Sequence, residues 1–208
     1  MKKRVTPHPL LVPRCAKLAR KIHSRDRRIV SKVKYIKHPE SVAEMVRKLH
    51  FGPVHVGAAW LHDCPEDHPD SCPIDELAEL IGCPGADEVV EIVATVTYDL
   101  SCQSKYERYE RYRNALAKNP KAMPVALADD CDNIGRTETD LRFGIPVFGA
   151  NYLNCDPREE IENWLAVAAL CLEKRHYDPG VKKLCERVIT LTESVKSILI
   201  AKKFMQPF

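Results

Sequence analysis

Residues 54–67 read Val-His-Val-Gly-Ala-Ala-Trp-Leu-His-Asp-Cys-Pro-Glu-Asp. The stretch from Val54 to Leu61 is almost wholly apolar, which predicts a helix buried in the middle of the fold. Because a proline disfavours helix at the residue before it, we expect this helix to end near Pro65. Neighbouring side chains inside a helix point about 100° apart, but at a helix end His62 and Asp63 can converge on one cation.

The rest of the chain also has helical periodicity, and no alternating strand pattern of useful length occurs. Apolar stripes predict helices over about 9–24, 42–49, 74–81, 86–96, 105–118, 123–134, 161–172 and 181–198. Stretches rich in Pro, Gly, Asp or Asn predict loops at 64–73 and 143–157. We therefore expect one all-α domain over 1–208, with about eight to ten helices, a motif-bearing core at about 20–140 and closing helices at about 158–202.

The composition excludes several classes of protein. Hydrophobic residues make up 45% of the chain, and 32 basic residues face 29 acidic ones, a balance that argues against a nucleic-acid binder. The nine cysteines show no CxxC spacing, which indicates reduced thiols. The apolar run at 10–12 is too short for a secretion signal, and no stretch approaches a membrane span. These features predict a soluble cytoplasmic protein without a membrane or nucleic-acid partner.

Two further side chains can complete a metal site with His62 and Asp63. His38 stands at the beginning of a predicted helix, and Asp129 lies in an otherwise apolar helix after Ala-Leu-Ala at 126–128. A carboxylate buried there without a partner would be costly, so Asp129 needs a metal or another cation. A mixed nitrogen and oxygen set suits Mn²⁺, Fe²⁺ or Zn²⁺ better than Ca²⁺.

Three short motifs carry a family resemblance. They read Tyr-Ile-Lys-His-Pro at 35–39, Leu-His-Asp-Cys-Pro-Glu-Asp at 61–67 and Leu-Ala-Asp-Asp-Cys-Asp-Asn at 127–133. In order and separation they resemble the HD superfamily of metal-dependent phosphohydrolases. The resemblance is strongest to the (p)ppGpp hydrolases: the hydrolase half of the Rel/SpoT enzymes and the stand-alone small alarmone hydrolases. It implies an all-helical HD domain around one metal, most commonly Mn²⁺, held by His38, His62, Asp63 and Asp129.

The same resemblance implies the reaction and its catalytic groups. Glu66 and Asp67 match the acidic pair that positions and activates the attacking water, and a carboxylate there is well placed to accept a proton. Asn133 matches a residue that contacts the substrate. The implied reaction is Mn²⁺-dependent hydrolysis of the 3′-pyrophosphate of (p)ppGpp, which yields GDP or GTP and pyrophosphate.

Substrate contacts follow less directly from the sequence. Arg27 and Arg28 resemble the family's basic pair, whose guanidinium planes can stack on guanine, although an exposed basic loop is the alternative. Lys105, Arg108 and Arg111 are spaced to share a helix face that can meet phosphates. The alternative for this second group is a solvated charged face, because Glu107 and Glu110 are interleaved with it.

The motifs also depart from the family pattern. Tyr-Asp-Leu at 98–100 stands where a lysine is often found, and Asp130 and Asp132 follow Asp129 where a basic residue is usual. Added negative charge near a polyphosphate is unhelpful unless it points away or binds a second cation. Two alternatives therefore stay open: a nucleotidase or 2′/3′-phosphatase for another nucleotide, such as an adenine alarmone or NADPH, and a non-catalytic nucleotide-sensing HD module.

A few residues fall outside these motifs. His55 lies on nearly the same helix face as His62 and is expected to pack behind the site, and His68 has no assignable role. Cys64 and Cys131 are expected to fill small buried gaps. The apolar residues of 181–198 alternate three and four apart, which favours a helix packed on its own domain, with a homodimer seam as the alternative.

Overall fold

The computed structural model describes residues 8–28, 31–145, 147–148 and 156–202. Within these ranges the chain forms ten α-helices, a short 3₁₀ helix at Pro120–Ala122 and no named strand, so the prediction of an all-α protein is confirmed. The α-helices are α1 Leu11–Ile22, α2 Lys37–Lys48, α3 Pro53–Leu61, α4 Cys64–Asp67, α5 Leu77–Ile81, α6 Ala86–Val96, α7 Lys105–Lys118, α8 Met123–Arg142, α9 Pro157–Arg175 and α10 Pro179–Ala201.

Helix α3 lies at the centre of the fold, as its apolar sequence predicts. Every residue from Val56 to Leu61 is buried, and the helix packs against α1, α2, α6 and α8. A Cβ atom at Gly57 would lie 3.1 Å from Cys15 Sγ of α1 and 3.2 Å from a methyl carbon of Val89 of α6. A side chain at Gly57 would therefore push these helices apart, because packed interiors leave little spare room.

Two helix boundaries differ from the predicted ones. Helix α8 continues to Arg142 instead of ending at Ile134. Its last two turns are largely polar, yet Thr137, Asp140 and Leu141 remain buried on one face, and the helix packs against α10. A stripe that contains Thr and Asp is not visible as an apolar pattern, which explains the early predicted end.

The predicted loop at 64–73 begins with a helical turn. Residues Cys64–Asp67 form α4, in which Pro65 occupies the first turn, where its missing N–H costs nothing. Helix α3 does end before Pro65, as expected. Within the other predicted loop, 143–157, residues 146 and 149–155 lie outside the described ranges, and α9 begins at Pro157.

Helices α9 and α10 close the fold as an antiparallel pair joined by a short turn. Asp178 caps α10 by accepting hydrogen bonds from the backbone N–H groups of Gly180 and Val181. The apolar face of α10 is buried, and the helix packs against α8 and α9. Among the described helices, none has both the length and the apolar character needed to cross a membrane.

Candidate metal centre

Three packed helices bring the four predicted metal ligands together. His38 lies in the first turn of α2, His62 and Asp63 follow the last residue of α3, and Asp129 lies in the middle of α8. These three helices pack against one another, and both imidazole rings are buried. We call these four residues the metal centre.

The ligand atoms of the metal centre surround a common point. His38 Nε2 lies 2.9 Å from Asp129 Oδ1 and 3.3 Å from Asp63 Oδ2. His62 Nε2 lies 3.4 Å and 3.2 Å from the same two oxygens, and the two Nε2 atoms are 3.2 Å apart. Around a tetrahedral ion with bonds of about 2.0–2.1 Å, neighbouring ligand atoms are separated by about 3.3 Å. The spacing therefore fits a cation.

Hydrogen bonds at the Nδ1 atoms fix the orientation of both imidazole rings, so that each Nε2 atom faces the metal centre. His62 Nδ1 faces the backbone oxygen of Ala59 at 2.9 Å, and His38 Nδ1 faces Asp132 Oδ2 at 2.7 Å. Both partners are acceptors, so Nδ1 keeps its proton, and Nε2 becomes the ligand atom once a cation displaces the proton that it shares with the carboxylates. The donor set of this chain thus fits a divalent cation in its chemistry as well as in its spacing.

The pKa values of the side chains at the metal centre also favour the binding of a cation. Although burial opposes it, hydrogen bonding to Asp129, Asp132 and Asp63 raises the pKa of His38 to about 10. Against the effect of burial, hydrogen bonds from the two histidines lower the pKa of Asp129 to about 2. The carboxylates are therefore ionised, and their field attracts positive charge, which a divalent cation can supply once it displaces the imidazole protons.

Asp132 resolves the difficulty raised by the extra acids after Asp129. Its Oδ2 accepts from His38 Nδ1 and, at 2.9 Å, from Arg28 Nη2. The carboxylate thus orients the His38 ring while a guanidinium balances its charge. Sequence reasoning missed this role, because the side-chain direction of a residue next to a motif cannot be read from the motif itself.

The predicted acidic pair lies on the turn α4, directly after the metal centre. Glu66 is half-buried, and its Oε2 accepts the backbone N–H of Tyr98 at 2.9 Å. Burial raises the pKa of Glu66 to about 7, against the lowering effect of that hydrogen bond. Asp67 is exposed. Tyr98, one of the departures from the family pattern, therefore holds Glu66 through its main chain, and its ring stacks on Tyr112 with centroids 4.6 Å apart.

The structure separates the two arginines that the sequence grouped as a pair. Arg28 Nη1 lies 3.3 Å from Asn133 Oδ1, and Asn133 Nδ2 donates to Asp129 Oδ1 at 2.8 Å. Arg28 and Asn133 thus adjoin the metal centre. Arg27 is exposed and donates to the backbone oxygen of Lys32 at 3.0 Å.

The basic residues of α7 have partners of their own. Lys105 forms an ion pair with Glu160 of α9, and Arg111 pairs with Asp99 and Glu107 at the surface. The Nε atom of Arg108 is buried and has no hydrogen-bond partner in the described part of the chain. These contacts favour the alternative interpretation of α7, a charged face that serves the fold.

Other residues named from the sequence are also located. His55 lies at the start of α3 against Phe51, with ring centroids 5.6 Å apart and Arg175 as a charged neighbour, so it does not pack behind the site. Cys64 and Cys131 are buried free thiols, as expected. Tyr35, the first residue of its motif, had no assigned role, yet its hydroxyl donates to Asp63 Oδ2 at 2.7 Å. His68, also unassigned, lies 2.6 Å from Asp26 Oδ2.

The chain is similar to known proteins both in sequence and in fold. The chain is 31% identical over 130 residues to the probable guanosine-3′,5′-bis(diphosphate) 3′-pyrophosphohydrolase of Synechocystis sp., a match that covers 62% of this chain and 17% of that protein. A solved structure of a metazoan ortholog of SpoT, which hydrolyzes ppGpp and plays a role in starvation responses, superposes with a TM-score of 0.59. It shares 20% sequence identity, and the match covers 96% of this chain and 99% of that one.

The chain has the fold of a SpoT ortholog. The resemblance to ppGpp hydrolases predicted from the three motifs is thereby confirmed, together with the helical fold that it implies. No family model matches the chain. Because the chain spans only about a sixth of the curated relative's length, the activity of that relative does not transfer by similarity alone.

Proposed function

We propose that this protein is a metal-dependent hydrolase that removes the 3′-pyrophosphate of (p)ppGpp and leaves GDP or GTP. One observation carries the proposal: each of two imidazole nitrogens lies 2.9–3.4 Å from a carboxylate oxygen of Asp63 and one of Asp129, with the half-buried Glu66 on the turn that follows. The likeness of the fold to a SpoT ortholog supports the choice of reaction.

The metal centre is suited to Mn²⁺, with Fe²⁺ or Zn²⁺ as alternatives, because its donors are nitrogen and oxygen atoms. A cation held there would supply Lewis-acid chemistry, lowering the pKa of a water molecule and neutralising charge on a phosphate. Glu66 is the proposed base that accepts the proton of the attacking water, because a pKa of about 7 suits proton transfer near neutral pH. The neighbouring Asp67 helps to position that water.

A basic cavity beside the metal centre supports an anionic substrate. It encloses about 130 Å³ and includes His38 in its lining. Its lining also includes four cationic side chains and one carboxylate: Arg28, Lys34, Lys37, Arg136 and Asp132. Guanidinium and ammonium groups at a shared concave surface attract and orient phosphate groups. Asn133 is proposed to contact the ribose or a phosphate, since it adjoins both Arg28 and Asp129.

A second candidate function is supported by the arginine geometry. Arg28 is engaged by Asp132 and Asn133, while Arg27 turns to Lys32, so the pair does not present two parallel planes to one base. A site with weak discrimination of the base would also accept other nucleotides with a terminal phosphate. The second candidate is therefore a nucleotidase or a 2′/3′-phosphatase for an adenine alarmone or NADPH.

We propose that the protein acts in the cytoplasm. We also propose that its chain forms a single HD domain. The eight cysteines that the structure describes are all free thiols, and several are buried, which suits a reducing compartment.

The test is release of pyrophosphate or phosphate from a panel of ppGpp, pppGpp, an adenine alarmone and NADPH, with and without Mn²⁺. Asp63→Ala removes one proposed ligand, and His176→Asn alters an exposed histidine as the matched control. We expect pyrophosphate and GDP from ppGpp with the wild type and the control only. Turnover confined to NADPH or the adenine alarmone would favour the second candidate. No turnover on any nucleotide, with metal bound, would overturn both and favour a sensing module.

A further inference from the structure

A second group of metal-binding side chains lies near the metal centre. His23 follows the last residue of α1, Asp26 lies three residues later, and His68 follows α4. Asp26 Oδ2 lies 2.8 Å from His23 Nδ1 and 2.6 Å from His68 Nε2, so both rings converge on one oxygen. We call these three residues the loop cluster.

The loop cluster can offer a cation one ionised carboxylate and two imidazole nitrogens. Although burial opposes it, hydrogen bonds from His68 and His23 together hold the pKa of Asp26 below its ordinary value, so the carboxylate is ionised at neutral pH. The His23 side chain is buried, and its Nε2 lies 3.5 Å from Cys64 Sγ. Once a cation displaces the Nδ1 proton that points to Asp26, that sulfur can accept a proton on Nε2, as the outer partner of a metal-bound histidine does.

The loop cluster has to open only slightly to admit an ion. Its nitrogen–oxygen distances of 2.6 and 2.8 Å fall about 0.5–0.7 Å short of the roughly 3.3 Å expected around a tetrahedral ion. Asp26 and His68 are each 29% exposed and lie outside the long helices, so both can shift. The partial exposure also leaves a side from which water can complete the coordination.

We propose that His23, Asp26 and His68 bind a second divalent cation of the zinc class, separate from the metal centre. Two imidazoles and one carboxylate with an open position form a donor set that Zn²⁺ accepts in proteins. Such a site prefers Zn²⁺ to Mn²⁺, because nitrogen-rich sites follow the general order of divalent-metal affinity. The proposal does not depend on which nucleotide, if any, the protein hydrolyses.

A cation bound at the loop cluster would restrict the movement of the residues beside the metal centre. His68 is the residue after Asp67, so a cation on its ring would fix the end of the turn that carries Glu66 and Asp67. The His23 ring lies 4.9 Å from the Tyr35 ring, and the Tyr35 hydroxyl donates to Asp63. The loop cluster therefore acts as a positioning element for this side of the metal centre.

The test is the number of zinc ions bound per chain, measured by equilibrium dialysis and elemental analysis after a chelator has stripped the protein. We expect about two ions for the wild type and for the His176→Asn control, and about one for Asp129→Asn, His68→Asn and Asp26→Asn. The double variant Asp129→Asn/His68→Asn is expected to bind none. Circular dichroism of each variant establishes that the fold is retained.

Several results would overturn the proposal. They are a wild-type ratio of about one, complete loss of zinc in folded Asp129→Asn, or an unchanged ratio in both His68→Asn and Asp26→Asn. Each would mean that the loop cluster is a hydrogen-bonded triad without a metal. Asp26→Asn provides a second variant if His68→Asn does not fold. Because the readout is bound zinc, absence of nucleotide hydrolysis leaves this result unaffected.

Discussion

The metal centre and the loop cluster use the same side-chain types on different supports. The metal centre is built on α2, α3 and α8, its imidazoles are buried, and the Nδ1 atom of each ring is held by an acceptor. Two members of the loop cluster are partly exposed, and both of its rings bond to one oxygen. Packed helices hold ligand atoms at the spacing of an ion in advance, whereas the turns must open to accept one. We therefore assign chemistry to the first and positioning to the second.

The largest effect is expected when one carboxylate of the metal centre is replaced. The matching substitution in the loop cluster is the comparison. Asp129→Asn should lower nucleotide hydrolysis by about 10³-fold, because it weakens the charge that holds the catalytic cation. The matched Asp26→Asn variant should lower turnover much less, because the loop cluster acts only through the position of the turn that carries Glu66 and Asp67. Steady-state kinetics at saturating Mn²⁺ measures both. Equal losses in the two variants would remove the distinction between the two groups.

The next effect concerns Glu66, the base that we assign to the turn between the two groups. Glu66→Gln should lower kcat by about 10²-fold, because a neutral amide cannot accept the proton. The carboxylate is the active form, so turnover should rise as the pH increases towards the pKa of about 7. A nearby cation favours the ionised form and moves this limb to lower pH. The limb should disappear in Glu66→Gln, and a limb that persists would assign it to another group.

A smaller effect is expected from the two arginines. Arg28→Ala should lower kcat/KM by about tenfold, because it removes a charged partner of Asp132 and Asn133. Arg27→Ala should leave kcat/KM within about twofold, since that side chain is exposed and bonds to the main chain of Lys32. A larger loss in Arg27→Ala than in Arg28→Ala would restore the paired stacking on a base that the sequence suggested.

The smallest effect is on stability and concerns the loop cluster alone. With the metal centre disabled by Asp129→Asn, added Zn²⁺ should raise the Tm by about 5 °C, because it binds the folded chain in preference to the unfolded one. Differential scanning fluorimetry measures the shift. The added substitution His68→Asn should abolish it, and a shift that survives would locate the zinc elsewhere.

Sequence analysis predicted the helical fold and the four residues that meet at the metal centre. The buried helix at 54–61 was visible as an apolar run, and the motifs predicted His38, His62, Asp63 and Asp129, of which His38, His62 and Asp129 have ligand atoms within 4.8 Å of one another. The motifs could do this because their residues lie at helix ends or in buried helices, where neighbours restrict the side-chain direction. No such restriction was visible for the loop cluster, so His68 remained without a role.

The same reasoning explains the errors around the metal centre. Asp132 was viewed as a difficulty because its charge was visible, while its bonds to His38 and Arg28 depend on residues about a hundred positions away. Arg27 and Arg28 are adjacent in sequence but turn to different partners. Polar residues hid the buried face of the end of α8. Long-range contacts decided the outcome for Asp132, Arg28 and the end of α8, whereas Arg27 turns to Lys32, five residues away.

We infer that the metal centre holds the catalytic cation. The most direct test of this inference is anomalous X-ray scattering from crystals grown with Mn²⁺. We expect a strong peak about 2.0–2.3 Å from His38 Nε2, His62 Nε2 and the carboxylates of Asp63 and Asp129. Mn²⁺ bound elsewhere, with this position empty in a protein that turns over its nucleotide, would contradict it.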